Sequence, residues 1–220
     1  MIGADFGGSP DGELRVLCLG AHSDDIEIGA GGAILELGRR YPAARIAWHV
    51  LSAAGGRERE ARESAAYFTQ DFASAEVYVH QLADGAFPTQ LKTLKRVMQE
   101  AKERFPADLI ITHYRDDLHQ DHRMVGEVTW QTFRDHLILE YEILKYDGDF
   151  GSPNAFFPIS DEVRQRKLEA IQKHFSSQRD KDWFSEDTFS AVMRIRGIEC
   201  RSPTGYAEGF FCRKVVFDLR

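Results

Sequence analysis

The chain has 220 residues, of which 43% are hydrophobic and 29% charged, and a formal net charge of −7. That length allows one to two domains with a self-supporting core, and the composition excludes a disordered chain, a collagen-like repeat and a disulfide-built miniprotein. The acidic balance argues against a general nucleic-acid binder, which needs a basic surface. The three cysteines (Cys18, Cys200 and Cys212) form no C-x-x-C pair, which argues against thiol redox chemistry and a cysteine-based zinc site and fits a reducing compartment.

Met1 to Leu14 carries Asp5, Asp11 and Glu13 with no early Lys or Arg, unlike a signal peptide. No uncharged apolar run approaches the ~18 residues of a membrane span, so a soluble, cytoplasmic protein is expected. Residues 15–20 form an apolar run ending at Gly20, as in a strand buried on both faces. A helix follows over 28–40, with Ile28, Ala33, Ile34 and Leu37 at helical spacing. Residues 45–51 then read as a strand, 57–68 as a charged, alanine-rich helix and 75–80 as a third strand. Leu91, Leu94, Val97, Met98, Ala101 and Phe105 recur at steps of three and four, a helix that Pro106 stops. Residues 108–113 predict another buried strand, 121–136 a helix and 138–146 a strand. Gly148 to Pro158 reads as a long loop, 161–178 as a helix capped by Ser160, and 214–219 as the last strand. Strands alternating with helices imply a mainly parallel α/β sheet with helices on both faces. No linker or repeat interrupts them, so residues 1–220 are expected to form a single domain.

Two polar clusters follow two of these strands. Gly20-Ala21-His22-Ser23-Asp24-Asp25-Ile26-Glu27 begins where the first strand ends, and His119-Gln120-Asp121-His122-Arg123 begins six residues after His113. In open parallel sheets ligands bind beyond the carboxyl ends of strands, so the two segments can converge. Imidazoles and carboxylates with an open position are what a catalytic Zn²⁺ needs, and a two-histidine-one-carboxylate set also suits Fe²⁺. His22 and Asp25 are three apart across a turn, and one of His119 and His122 completes three ligands. Asp24 is the natural base for the attacking water. The remaining histidine can hold an oxyanion or protonate an amine, with Asp121 to orient it and favour its protonated form. The bland alternative is that Asp24 and Asp25 simply cap the next helix. Gly29, Gly31 and Gly32 fit close helix packing better than a phosphate loop, because the turn before them holds two carboxylates.

Ala21-His22-Ser23-Asp24-Asp25-Ile26-Glu27-Ile28-Gly29 resembles the A-H-P-D-D-x-E-x-G signature of PIG-L-type (LmbE-like) N-deacetylases, and His119-Gln120-Asp121-His122-Arg123 resembles their H-x-D-H-R signature. Lys167, Ala170 and Ser177-Gln178, and Tyr206-Ala207-Glu208-Gly209-Phe210, are similar to further family segments, so the resemblance spans nearly the whole chain. It implies a Rossmann-like three-layer fold. It also implies metal ligation by His22, Asp25 and His122, Asp24 as general base, and His119 with Asp121 as its partner at the tetrahedral intermediate. The implied activity removes an N-acetyl group from an amino sugar or its conjugate, with Zn²⁺ or another divalent ion such as Fe²⁺. The implied partner is that small molecule, with room for a homo-oligomer and none for nucleic acid or a membrane span. A metal phosphoesterase and a non-catalytic sugar-binding protein are the rival readings.

Two positions depart from the pattern: Ser23 replaces the usual proline, and His174-Phe175-Ser176-Ser177-Gln178 is one residue longer than H-x-S-Q, which leaves His174 outside the site. Arg57, after Gly55-Gly56, matches a substrate-side arginine of the family, while the charge run to Glu63 also reads as a solvated helix face. Trp183, Phe184 and Phe189 read as packing, and His49, His80, His113 and His136 as structural; His113 ends the strand that leads into the second cluster.

Overall fold

Residues with alternate side chains on opposite faces of a buried strand need a core on each side. In β1 (Arg15–Gly20), Val16 and Cys18 enter one core and Leu17 and Leu19 the other. The computed structural model describes Phe6 and residues 13–216. It continues with α1 (Asp25–Arg40), β2 (Arg45–Val50), α2 (Gly56–Phe68), β3 (Ser74–Val79), α3 (Leu91–Arg104), β4 (Leu109–His113) and α4 (Gln120–Thr132). It ends with β5 (Leu137–Tyr141), β6 (Ala155–Pro158), α5 (Asp161–His174), α6 (Glu186–Glu199) and β7 (Ala207–Cys212).

The seven strands form one sheet in the order β3-β2-β1-β4-β5-β7-β6. β1 to β5 run parallel, and β7 and β6 add an antiparallel edge. One face packs on α1, α2 and α5 through Ile34, Ala65, Phe68, Leu168 and Ile171, and the other on α3 and α4 through Leu94, Met98, Val125 and Val128. This is the expected three-layer α/β arrangement. The glycines of α1 are packing positions: a Cβ on Gly29 would lie 2.2 Å from the Tyr141 ring, and one on Gly31 2.7 Å from Phe68. Ser160 caps α5, its hydroxyl accepting from Val163 N at 3.2 Å. Phe184 and Phe189 are buried and meet edge to face, as packing requires. Among the described residues, no helix is long and apolar enough to cross a membrane.

Several expectations change. The strand expected over 138–146 ends at Tyr141, and the helix expected over 161–178 ends at His174, followed by one 3-10 turn at Ser176–Gln178. α1 starts at Asp25 rather than Ile28, which puts Asp25 in its first turn. The loop expected over 148–158 closes with β6, which pairs antiparallel with β7. The last strand is β7, not 214–219; residues 214–216 have no regular structure and 217–219 lie outside the described residues. α6 was not expected, because its buried face includes Arg196 and Gly197 between Phe189 and Met193 and the chain end, which breaks the apolar period.

Candidate metal centre and active site

β1 and β4 are neighbours, registered Cys18↔Ile111, and the strand order reverses between them: β2 and β3 lie to one side, β5 to the other. At such a switch point the loops after the strands part and leave a crevice. The turn after β1 is tight, and a Cβ on Gly20 would come within 2.8 Å of Ile26. The chain then delivers His22, Ser23, Asp24 and Asp25 into the crevice, and the loop after β4 delivers Asp117 and His119, and the first turn of α4 Asp121 and His122, to the same place.

The two clusters converge. His22 Nδ1 lies 3.3 Å from Asp25 Oδ2 and 3.2 Å from His122 Nε2, and His122 Nε2 lies 3.5 Å from Asp25 Oδ1. A tetrahedral ion with bonds of ~2.0–2.1 Å needs donors about 3.4 Å apart; each pair is near that spacing, Asp25 meeting His22 through Oδ2 and His122 through Oδ1, so the three side chains offer suitable donors in mutual contact without closing on one carboxylate oxygen. Among the described residues, the triples whose donors all lie within 4.8 Å of one another are His22, His119 and His122; Asp25, His113 and His122; and His22, Asp84 and Asp121, so His22, Asp25 and His122 each belong to at least one of them.

Asp24 occupies the N-cap position of α1, yet its side chain makes no capping hydrogen bond. Instead Arg57 Nη2 donates to Asp24 Oδ1 at 3.0 Å, and Arg57 Nε donates to Ser23 Oγ at 2.9 Å. Arg57 therefore leaves the solvated face, whereas Arg59 and Arg62 stay there, paired with Glu63 and Glu58. Ser23, where the family pattern has proline, supplies the hydroxyl that aims the guanidinium. Burial and the charge of Asp25 push the Asp24 carboxyl up, and Arg57 offsets part of this. Asp25 behaves oppositely: burial disfavours its charge, but His122, His113 and His22 outweigh that and hold it well below the usual carboxylate range.

The Asp121 carboxylate does not orient His119, contrary to expectation. It accepts from Gly85 N (2.7 Å) and Phe87 N (3.0 Å) and lies 3.3 Å from His22 Nε2, so it ties the loop before α3 to the centre. His119 caps α4 and is half-exposed, its Nδ1 accepting from Asp121 N at 3.3 Å. Burial and the neighbouring His122 and His22 push its pKa down, which favours the neutral ring, while the charges of Asp121, as expected, and Asp25 pull in the other direction. With the Nδ1 lone pair engaged, the ring proton sits on Nε2.

Three further residues join the site. Asp117 Oδ2 lies 3.2 Å from His122 Nδ1 and 3.0 Å from Lys145 Nζ, and Asp117 Oδ1 accepts from His119 N at 2.7 Å. Asp84 Oδ1 approaches His22 Nε2 at 3.1 Å. His113, read from sequence as structural, is fully buried, stacks on His122 at 4.1 Å and accepts from Ala21 N at 2.9 Å, with Nε2 also 3.1 Å from Asp25. Burial lowers its pKa to about 4. Position could have flagged two of them: His113 closes a buried strand, and Asp117 stands two residues before the second cluster. His174 instead packs against Tyr67.

Comparison with known proteins agrees. The PIG-L family profile, described as GlcNAc-PI de-N-acetylase, matches residues 17–133, more than half of the chain. The chain is 28% identical over 173 residues to the uncharacterized deacetylase YaiS of Escherichia coli (strain K12), covering 73% of this chain and 90% of that protein. It shares its fold with N,N'-diacetylchitobiose deacetylase from Pyrococcus horikoshii, at TM-score 0.68 and 20% identity over 90% of this chain and 83% of the other. It also shares its fold with GalB, the 4-carboxy-2-hydroxymuconate hydratase from Pseudomonas putida KT2440, at TM-score 0.73 and 18% identity over 94% and 100% of the two chains. The matched span begins in β1, ends just after α4 and contains both polar clusters, and on that match the chain belongs to the PIG-L (GlcNAc-PI de-N-acetylase) family of deacetylases.

Proposed function

We propose that the chain is a divalent-metal-dependent N-deacetylase acting on an N-acetylated amino sugar or its conjugate, with His22, Asp25 and His122 holding the ion and Zn²⁺ or Fe²⁺ filling the role. The observation that carries this reading is the mutual approach of His22, Asp25 and His122 at 3.2, 3.3 and 3.5 Å, through both oxygens of Asp25, with the buried Asp24 carboxylate beside them making no helix cap. A bound divalent ion would acidify a water and polarise the acetyl carbonyl.

Asp24 takes the proton of the attacking water. Its raised pKa makes it a better base than an ordinary carboxylate, and Arg57 on Oδ1 leaves Oδ2 for the proton. His119 donates its Nε2–H to the carbonyl oxygen as negative charge gathers there, which a neutral ring can do as a hydrogen-bond donor. The C–N bond then breaks, the amine nitrogen takes the proton held by Asp24, and acetate and a free amine leave. Arg57 keeps Asp24 in place and flanks the position of the acetyl group.

The test is acetate release from a panel of N-acetylated amino sugars by the metal-loaded protein. Asp24→Ala is expected to keep its metal and lose about 10²–10⁴-fold in turnover, and His22→Ala to lose both. Acetate release at the normal rate from Asp24→Ala would sink the base assignment. A phosphoesterase would bind two ions per chain, and a sugar-binding protein would bind the panel without releasing acetate.

A further inference from the structure

Behind the loop that carries Asp117 and His119, an open cleft of about 690 Å³ lies between α4 and the segment after β7. Its walls carry Arg115, Arg123, Arg134, Arg213 and Lys214 against two carboxylates, Asp116 and Glu127. With Glu140 beneath the wall counted, that is a local surplus of two positive charges (five minus three) in a chain whose net charge is −7, and Arg213 is paired with both Glu140 and Asp116.

The floor is organised by one buried carboxylate. Glu140 on β5 has no exposed surface; it accepts from Arg213 Nε at 2.7 Å, from Arg115 N at 3.0 Å and from the Trp130 indole N–H. Trp130 forms part of the wall, with Lys214 Nζ 4.9 Å from its ring centre. Glu140 thereby fixes one guanidinium, one aromatic ring and the backbone beneath a second arginine.

The remaining cations are under-used. Arg115 engages only its backbone amide, and its guanidinium has no partner among the described residues. Arg134 spends Nε on Gln131 O at 3.0 Å. Arg123, the last residue of the second signature, spends Nη1 on the carbonyls of Asp117 and Leu118 at 2.9 and 3.1 Å and faces this cleft. Planar guanidiniums with free donor edges match phosphoryl oxygens in geometry as well as charge, and the volume suits a small molecule.

We propose that this cleft is a second binding site, separate from the metal centre, for a phosphate-bearing small molecule. Its phosphoryl group rests on Arg115 and Arg134, with Arg213 fixed behind them. The proposal does not depend on the deacetylase reading, since no residue of the cleft acts in that chemistry.

The test is calorimetric titration of the metal-loaded full chain with inorganic pyrophosphate and, separately, with ADP. One site per chain is expected, weakened at least tenfold in Arg115→Ala/Arg134→Ala and retained in His122→Ala. Both altered arginines are at the surface, so the double variant should fold, and an unchanged far-ultraviolet spectrum checks this. The tighter of the two probes tells whether phosphate alone or a nucleotide is the ligand. Absence of saturable binding, binding that survives the double variant, or binding lost in His122→Ala (which would put the anion on the metal centre) each overturns the proposal.

Discussion

Asp117 does for His122 what a bare ligand set cannot do for itself. A histidine offers Nε2 to a cation only when its proton sits on Nδ1, and a carboxylate at 3.2 Å from Nδ1 enforces that tautomer. Burial disfavours the Asp117 charge, but His122, His113 and Lys145 outweigh it and hold the carboxyl at about 2, so it is ionised at any working pH. Asp117→Asn keeps the size and can still accept from His119 N, but it turns an amide N–H toward His122. Zinc affinity, measured by competition with a chelator, is expected to fall about 10–100-fold with the fold intact; unchanged affinity would remove Asp117 from the site. The signature residues were legible in the sequence because a single motif holds each set. Asp84 was not, and His113 and Asp117 were marked by no motif, only by their place in the chain. Each reaches the centre through a loop or strand end whose direction only tertiary packing sets. The Asp121 pairing failed for the same reason, since its partners Gly85 and Phe87 belong to another loop.

At the scale of elements, the parallel half of the sheet was legible and its antiparallel edge was not. A strand buried on both faces writes a continuous apolar run, as Leu109–His113 and Arg15–Gly20 do. β7 instead reads Ala-Glu-Gly-Phe-Phe-Cys, with Glu208 pointing into the core. There Glu208 accepts from Gly32 N (2.8 Å), Ala33 N (2.7 Å) and Lys167 Nζ (2.6 Å), and Lys167 also donates to Ile28 O at 2.7 Å. One buried ion pair thus joins α1, α5 and β7, and α1 is the helix whose first turn carries Asp25. Lys167→Met strands a buried carboxylate and is expected to cost about 3–5 kcal/mol in urea unfolding. Adding Glu208→Gln should recover part of that loss, because it removes the orphaned charge. A loss below ~1 kcal/mol in the single variant would mean that solvent reaches Glu208.

For the whole molecule, the acidic balance says little about acid tolerance; buried histidines say more. His49 on β2 is 4% exposed, stacks on Tyr78 at 4.5 Å and places Nδ1 3.2 Å from His80 Nε2. Burial, then His80 and Arg104, push its pKa down to about 3, and burial and Arg96 lower that of His80 despite Glu100. The folded chain therefore keeps His49 neutral where the unfolded chain, with an ordinary value of about 6.5, binds a proton. Unfolding then takes up a proton, so stability is complete above about pH 6.5 and falls as the pH drops toward 3. His49→Phe keeps a flat ring against Tyr78 and removes the proton site. Between pH 7.5 and 5, wild type should lose about 2 kcal/mol more than the variant, the integral of ~1.4 kcal/mol per pH unit below 6.5. Urea unfolding of both proteins at four pH values reads this difference directly. The titrating groups away from His49 are shared, so they cancel in the comparison, and parallel curves would mean that His49 protonates as easily in the folded chain as in the unfolded one.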